Sequence, residues 1–275
     1  MRRIDAHQHF WRLGRGDYGW LTPKLAPIYR DFSPGDLLPI LKRHGIDGTV
    51  LVQAAPTEAE TDFMLGLADE HDFILGVVGW VNFAALDAAE RIARMAAHPK
   101  LEGLRPMIQD IADPEWMLSA ELRPAYEALI AHGLVFDALV LPRHLDVLPR
   151  LLARHPDMRT VVDHSAKPAI AAGDFDDWAA GMSRIARESA AFCKLSGLVT
   201  EAGLDWSVAT LRPYAEHILE AFGPERVIWG SDWPVCTLAA SYDAWVEATD
   251  ELLSGCTASA RAAILGGNAA RLYRL

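Results

Sequence analysis

The chain has 275 residues, of which 51% are hydrophobic and 23% charged. That is enough apolar material for a sizeable core and excludes a disordered polymer. A formal net charge of −11 argues against nucleic acid or an anionic membrane surface as the main partner. Cys193, Cys236 and Cys256 form neither a disulfide framework nor a Cys-x-x-Cys metal site, and no apolar run suits a signal peptide or a bilayer span. A soluble, cytoplasmic protein is expected.

Short apolar runs at 3–6, 48–53, 74–80, 101–105, 134–138, 160–164, 192–196 and 227–231 read as strands. Between them lie stretches of helical period at 34–44, 57–71, 87–97, 124–132, 145–155, 174–188, 206–222 and 241–253. About eight such alternations, in a chain near the typical size of roughly 250 residues, predict a (β/α)₈ TIM barrel. A doubly wound open sheet gives the same alternation, but no Gly-x-Gly-x-x-Gly follows the first strand. No repeat, low-complexity tract or linker interrupts the chain, so residues 1–275 read as one domain. The one long connection, residues 10–31 after the first strand, is rich in Gly, Pro, Trp and Tyr. Loops of that length are usually lids or binding loops, and Trp11 and Trp20 favour a lid.

His7-Gln8-His9 ends the first apolar run. Strand side chains alternate between faces, so His7 and His9 aim two imidazoles at one point. Neutral imidazole is the commonest protein ligand of zinc-like ions. The later strand ends carry Gln53, Trp80, Arg105, Asp137, Asp163-His164, Lys194-Leu195-Ser196 and Gly230-Ser231-Asp232-Trp233-Pro234. A packed barrel interior has no use for so many polar groups, whereas a pocket at its mouth does. His7, His9, His164 and Asp232 can close a tetrahedral metal site, or three of them can bind while one position stays open to water. The other histidines fall mostly at helix ends or in loops, where they complement helix dipoles.

The segments Ile4-Asp5-Ala6-His7-Gln8-His9-Phe10-Trp11, Asp163-His164-Ser165-Ala166-Lys167-Pro168, Lys194-Leu195-Ser196-Gly197-Leu198, Gly230-Ser231-Asp232-Trp233-Pro234-Val235 and Gly267-Asn268-Ala269-Ala270-Arg271-Leu272-Tyr273 span the chain end to end. In them the chain resembles the amidohydrolase superfamily, specifically the amidohydrolase-2 branch that includes L-fuconolactonase, L-rhamnonolactonase and 4-sulfomuconolactonase-like enzymes. The resemblance implies a distorted barrel that hydrolyses a lactone, with Asp232 as general base and His7, His9 and His164 around the attacked carbonyl. Binuclear members of the superfamily carry a bridging lysine or glutamate on the fourth strand and histidines on the fifth and sixth. Here the fourth strand offers Arg105 and the fifth ends in Phe136-Asp137-Ala138, so a two-metal site is not expected. The ligand set permits one divalent ion, zinc if any; the branch also resembles enzymes that work without metal.

Lactone opening needs an activated water and stabilisation of the developing oxyanion. Asp232 answers the first need; His7, His9 and His164, or a metal they hold, answer the second, assisted by Arg105 or Lys167. Trp11, Trp80 and Trp233 flank the predicted mouth and suit the C–H faces of a sugar, while Gln53 and Ser196 can bond hydroxyls. A polycarboxylate lactone calls for several arginines at the mouth. Only Arg105 sits at a strand end, with Arg143 further along a loop, which favours an uncharged sugar lactone and, by resemblance, L-fuconolactone first. The alternatives are a metal-dependent decarboxylase of an unsaturated or aromatic acid, a hydrolase of a carboxylated lactone such as sulfomuconolactone, and a barrel that binds without turnover. No motif fixes whether the chain assembles into a homo-oligomer.

Overall fold

The structure, a computed structural model, describes residues 2–275. Its strands are β1 (Ile4–Gln8), β2 (Gly48–Val52), β3 (Ile74–Gly79), β4 (Leu101–Leu104), β5 (Val135–Ala138), β6 (Thr160–Val162), β7 (Phe192–Leu195) and β8 (Val227–Trp229). They pair in parallel, each with the next in sequence. Parallel neighbours require crossovers, and helices such as Pro34–Arg43, Glu58–Glu70, Asp176–Glu188 and Val208–Phe222 supply them. Local chemistry marks where these helices begin. Thr57 Oγ1 accepts from Glu60 N at 3.1 Å, Ser207 Oγ accepts from Thr210 N at 3.2 Å, and Pro34 occupies a first-turn position that lacks a partner for an N–H.

The sheet closes without a β1–β8 ladder. His9 N donates to Trp233 O and Asp232 N to His7 O, both at 2.7 Å, so the seam joins β1 to the segment after β8. The result is the predicted (β/α)₈ barrel with an irregular closure. Inside it, Ile4, Ala6, Val50, Val52, Val78, Val135, Val161 and Ile228 pack against Ala269, Leu272 and Tyr273. Those last residues belong to the helix Asn268–Tyr273, which fills the floor of the barrel. Asn268 anchors it by donating to Pro224 O and Val227 O, at 2.7 and 2.8 Å, where β8 begins.

Alternation along β1 breaks once. Its register against β2 shifts between Asp5 and Gln8. Ile4 and Ala6 join the interior cluster, while Asp5 accepts from Tyr242 in the outer helix layer. His7 nevertheless meets interior groups, so Ala6 and His7 both face inward. A bulge of this kind re-aims a side chain, and such bulges recur beside active sites.

Three segments depart from the sequence reading. Residues 206–222 are preceded by a separate helix, Leu198–Ala202, and the chain after 253 folds into Ala258–Ala262, a π-helical turn Ala263–Gly267 and Asn268–Tyr273. β6 stops at Val162, and His164, Ser165, Ala166 and Lys167 all take left-handed φ values of 50–59°. Each such residue costs about 1–2 kcal/mol without a glycine. The turn is held by Trp178 Nε1 donating to Ser165 O at 2.7 Å and by Ser165 Oγ donating to Lys194 O at 3.1 Å. Among the described residues, no helix is long and apolar enough to cross a membrane.

Candidate active site

The inward positions change character along each strand. Val135 is followed two residues later by Asp137, Val161 by Asp163, and Gly103 by Arg105, so an apolar lower layer gives way to an ionic one. His7, Asp137, Asp163 and Lys194 are wholly buried. Above them four predicted ligands meet. Asp232 Oδ1 lies 3.2 Å from His9 Nε2, 3.8 Å from His7 Nε2 and 3.9 Å from His164 Nε2. Two glycines make room for this approach. A Cβ on Gly230 would stand 2.7 Å from His7 Cβ, and one on Gly197, at φ +70°, would stand 2.8 Å from His164 Nδ1.

Each ring is oriented from behind. His9 Nδ1 is 2.7 Å from Val52 O, an acceptor only, so that nitrogen carries the hydrogen and Nε2 presents its lone pair to Asp232. His164 Nδ1 is 2.9 Å from Ser196 Oγ. A lone pair facing a carboxylate oxygen calls for a proton or a cation between them. The donor atoms of His7, His9 and Asp232 lie within 4.8 Å of one another, and His164 Nε2 completes the ring. Imidazole nitrogens with a single carboxylate oxygen are the donor set of a zinc-like divalent ion, and they fit one here.

Burial, reinforced by the Lys194 charge and by His164, holds His7 well below the usual histidine range. Burial likewise lowers His164 to about 4, against the pull of Asp232 and Asp163. Burial alone would raise Asp232, but His164, His9 and His7 outweigh it and keep the carboxyl below its ordinary range. At neutral pH the pocket therefore presents neutral His7 and His164 beside an ionised Asp232.

Of the layer beneath, the sequence alone gives a role to Arg105 and none to Lys194, Asp137 or Asp163. Lys194 Nζ lies 2.5 Å from Asp137 Oδ2, 2.9 Å from Asp163 Oδ1 and 3.2 Å from His7 Nδ1. Tyr273 OH donates to Asp137 Oδ2 at 2.8 Å. Arg105 Nη1 is 3.3 Å from Asp163 Oδ2 and 3.3 Å from His7 Nε2, and its Nη2 donates to Gln53 O. Burial would raise Asp163, but Lys194, His7 and Arg105 hold it well below the usual carboxylate range. The signal available in the sequence was Lys194 inside an apolar strand, where an unpaired lysine would be prohibitive.

The cavity above the ligands encloses about 180 Å³ and is walled by His9, Trp20, Ala54, Arg105, Met107, Gln109, Asp110, Leu139, His164, Lys167, Asp232 and Val235. Arg105, Lys167 and Trp20 of the 10–31 loop are thus on its wall. Trp20 is fixed there by donating Nε1 to Ala54 O at 2.7 Å. Trp11, Gln53, Trp80, Ser196 and Trp233 do not line it. Trp11 is fully buried, donates to Arg30 O at 2.8 Å and packs on Phe32. Trp233 packs on Phe10 and Phe32. Gln53 Nε2 donates to Arg105 O at 2.8 Å, Ser196 orients His164, and Trp80 bonds Thr61 through its backbone. Of these, Ser196 orients His164 and Gln53 braces Arg105, while Trp11 and Trp233 pack behind the wall. Gln109 and Asp110 on that wall follow β4 in a segment the sequence reading passed over.

A barrel mouth carrying His-x-His, a third histidine and an aspartate defines a metal-type hydrolase site, and the chain belongs to the Amidohydrolase family, whose model matches residues 4–275. It is similar to L-fucono-1,5-lactonase of Burkholderia ambifaria, with 45% identity covering 99% of this chain and 96% of that protein. It is also similar to L-fucono-1,5-lactonase of Burkholderia multivorans, with 39% identity over 99% of this chain and 96% of that one. Among solved structures, a zinc-bound amidohydrolase from Burkholderia multivorans superposes with a TM-score of 0.94 at 39% identity, covering 100% of both chains.

Proposed function

We propose that this chain hydrolyses the lactone of a sugar acid to the open-chain aldonic acid, with L-fuconolactone the first substrate to test. The observation that carries the reading is one carboxylate, Asp232, set beside three imidazoles and the Arg105 guanidinium at the base of a small cavity. The 45% identity to a lactonase over nearly the whole chain supports it independently.

Asp232 takes a proton from water as the water oxygen bonds to the lactone carbonyl carbon. Arg105, on the cavity wall with His7 Nε2 behind it at 3.3 Å, faces the carbonyl oxygen as charge develops on it. When the tetrahedral centre collapses, the ring C–O bond breaks and the departing oxygen recovers the proton from Asp232. A divalent ion held by His9, His164 and Asp232, with His7 alongside, supplies Lewis-acid polarisation and a more acidic water when bound.

The cavity sets the substrate class. About 180 Å³ is below the roughly 300–1,000 Å³ of pockets for drug-sized ligands, so one small ring fits. Among the described residues its cationic side chains are Arg105 and Lys167, and Arg105 is already committed to Asp163. With Asp110 on the same wall, a polycarboxylate lactone finds little compensation, whereas Gln109, Asp110 and Lys167 can bond sugar hydroxyls against an apolar side of Met107, Leu139 and Val235. A panel of lactones followed by proton release tests this. Turnover of L-fuconolactone and related sugar lactones is expected. Silence on all of them, with turnover of an aromatic dicarboxylate lactone, would overturn the assignment.

A further inference from the structure

We propose that Glu60, buried outside the cavity, is a positioning residue that holds Trp20 as a fixed aromatic wall against the substrate ring. The inference deepens the lactonase reading and rests on it for the kinetic effect alone.

Trp20 is the part of the 10–31 loop that reaches the cavity, and it is 38% exposed where Trp11 is fully buried. Its Nε1 already donates to Ala54 O at 2.7 Å, and an indole has no second polar hydrogen. What it offers a ligand is therefore bare aromatic surface, which suits the C–H face of a sugar ring. A cavity of about 180 Å³ leaves a ring seated against Asp232 in contact with the other walls as well. The loop does not hold this pose by itself. Its backbone bonds beside Trp20 are short-range, Leu21 N to Tyr18 O at 3.0 Å and Gly19 N to Asp17 O at 3.3 Å.

Glu60 supplies the missing anchor. It lies in the first turn of the helix Glu58–Glu70, is fully buried, and has its own N bonded to Thr57 Oγ1. Its Oε2 accepts from Tyr18 OH at 2.7 Å and its Oε1 from Ala54 N at 3.3 Å. One carboxylate thus grips the loop two residues before Trp20 and also the residue whose carbonyl Trp20 bonds. Burial, reinforced by Glu60, pushes the Tyr18 phenol up, so its hydroxyl stays a donor. Arg15 Nη2 stands 3.6 Å from the same Oε2, and its guanidinium carbon lies 4.4 Å from the centre of the Phe63 ring on the same helix. None of these partners is a group proposed to act on the carbonyl. Loss of the clamp therefore falls on binding, not on the chemical step.

Steady-state kinetics on L-fuconolactone give the first test. Glu60→Ala is expected to raise KM about 10-fold with kcat within about threefold. Glu60→Gln should stay within about twofold on both, because its oxygen still accepts from Ala54 N while its amide donates to the Tyr18 hydroxyl. In a Trp20→Ala background, Glu60→Ala should add less than about twofold to KM, since the wall it positions is already gone. A fully additive effect there, or a loss confined to kcat, overturns the proposal. The second readout needs no substrate: indole ¹H–¹⁵N spectra, with Trp20 assigned by its loss in Trp20→Ala. The Trp20 resonance is expected to shift in Glu60→Ala and to stay in place in Glu60→Gln; an unmoved resonance in Glu60→Ala also overturns the proposal. If Glu60→Ala does not fold, Tyr18→Phe, which removes one arm of the clamp, is read the same way. Absence of turnover on every lactone sinks the functional reading, and the indole spectrum still decides whether Glu60 holds Trp20.

Discussion

The Asp5 carboxylate holds Ser231 twice, accepting from its backbone N at 2.8 Å and from its Oγ at 2.6 Å. Ser231 immediately precedes Asp232, which sits at a left-handed φ of 58°. Asp5 also accepts from Tyr242 OH at 3.0 Å and from His7 N at 3.2 Å, so one buried side chain ties together β1, the turn after β8 and the outer helices. Burial, opposed by these hydrogen bonds, raises its carboxyl to about 6. In Asp5→Asn an amide group must face donors. The expected result is a stability loss of about 1–3 kcal/mol in chemical denaturation and a fall in kcat larger than in Tyr242→Phe.

Removing the proposed base tests the chemistry directly. Asp232→Asn keeps the volume and the turn but cannot take a proton from water. Steady-state kinetics are expected to show kcat/KM lower by about 10²–10⁴-fold with the circular dichroism spectrum unchanged.

The pH–rate profile follows from the buried imidazoles. His164 titrates near 4 and Asp232 lower still, so both keep their neutral-pH forms throughout the range above. His164 is expected to set no acid limb in kcat/KM between pH 8 and 6; the limb it sets comes only as pH approaches about 4, when it gains a proton. A break near 6.5 assigned to His164 would contradict this.

Glu60 gives a stability test remote from the chemistry. It accepts from Tyr18 OH at 2.7 Å and from Ala54 N at 3.3 Å, tying the 10–31 loop to the segment after β2. Burial raises it from 4.5 to about 7. The folded state thus holds this proton longer than the unfolded one, and the group's contribution declines as pH rises from about 4.5 through 7. Measured against Glu60→Gln, the unsubstituted protein should lose about 2–3 kcal/mol of relative stability between pH 4.5 and 8.

Metal content is equally definite. Chelator-treated protein titrated with zinc and read by elemental analysis is expected to reach one ion per chain. His9→Ala and His164→Ala should each abolish that stoichiometric binding, since each removes a first ligand of a site with only a few. Two tightly held ions per chain would be inconsistent with the donor set.

Much of this was legible in the residues themselves. All eight strands lie where the apolar runs put them, because parallel strands buried on both faces leave near-continuous hydrophobic signatures. The His7–His9 pairing followed from alternation, and Asp232 and His164 from polar residues at strand ends. What was hidden depends on the third dimension. The β1 bulge leaves no compositional trace, so the inward turn of both Ala6 and His7 was invisible. Lys194 stands out as a lysine at the end of an apolar strand, but its partners Asp137 and Asp163 come from other segments, with Tyr273 bracing Asp137, and nothing local names them. Trp11 and Trp233 look like sugar platforms at the mouth, yet they pack with Phe32 behind it. Helix Asn268–Tyr273 went unread because it is short and its apolar residues serve the barrel floor.

His9 and Asp232, in bonding distance across the seam, are 223 positions apart in the chain. Bringing them together closes a loop of nearly the whole chain, at an entropic cost that local helix formation does not carry. Recovery of turnover after dilution from denaturant is therefore expected to lag behind the return of helical signal.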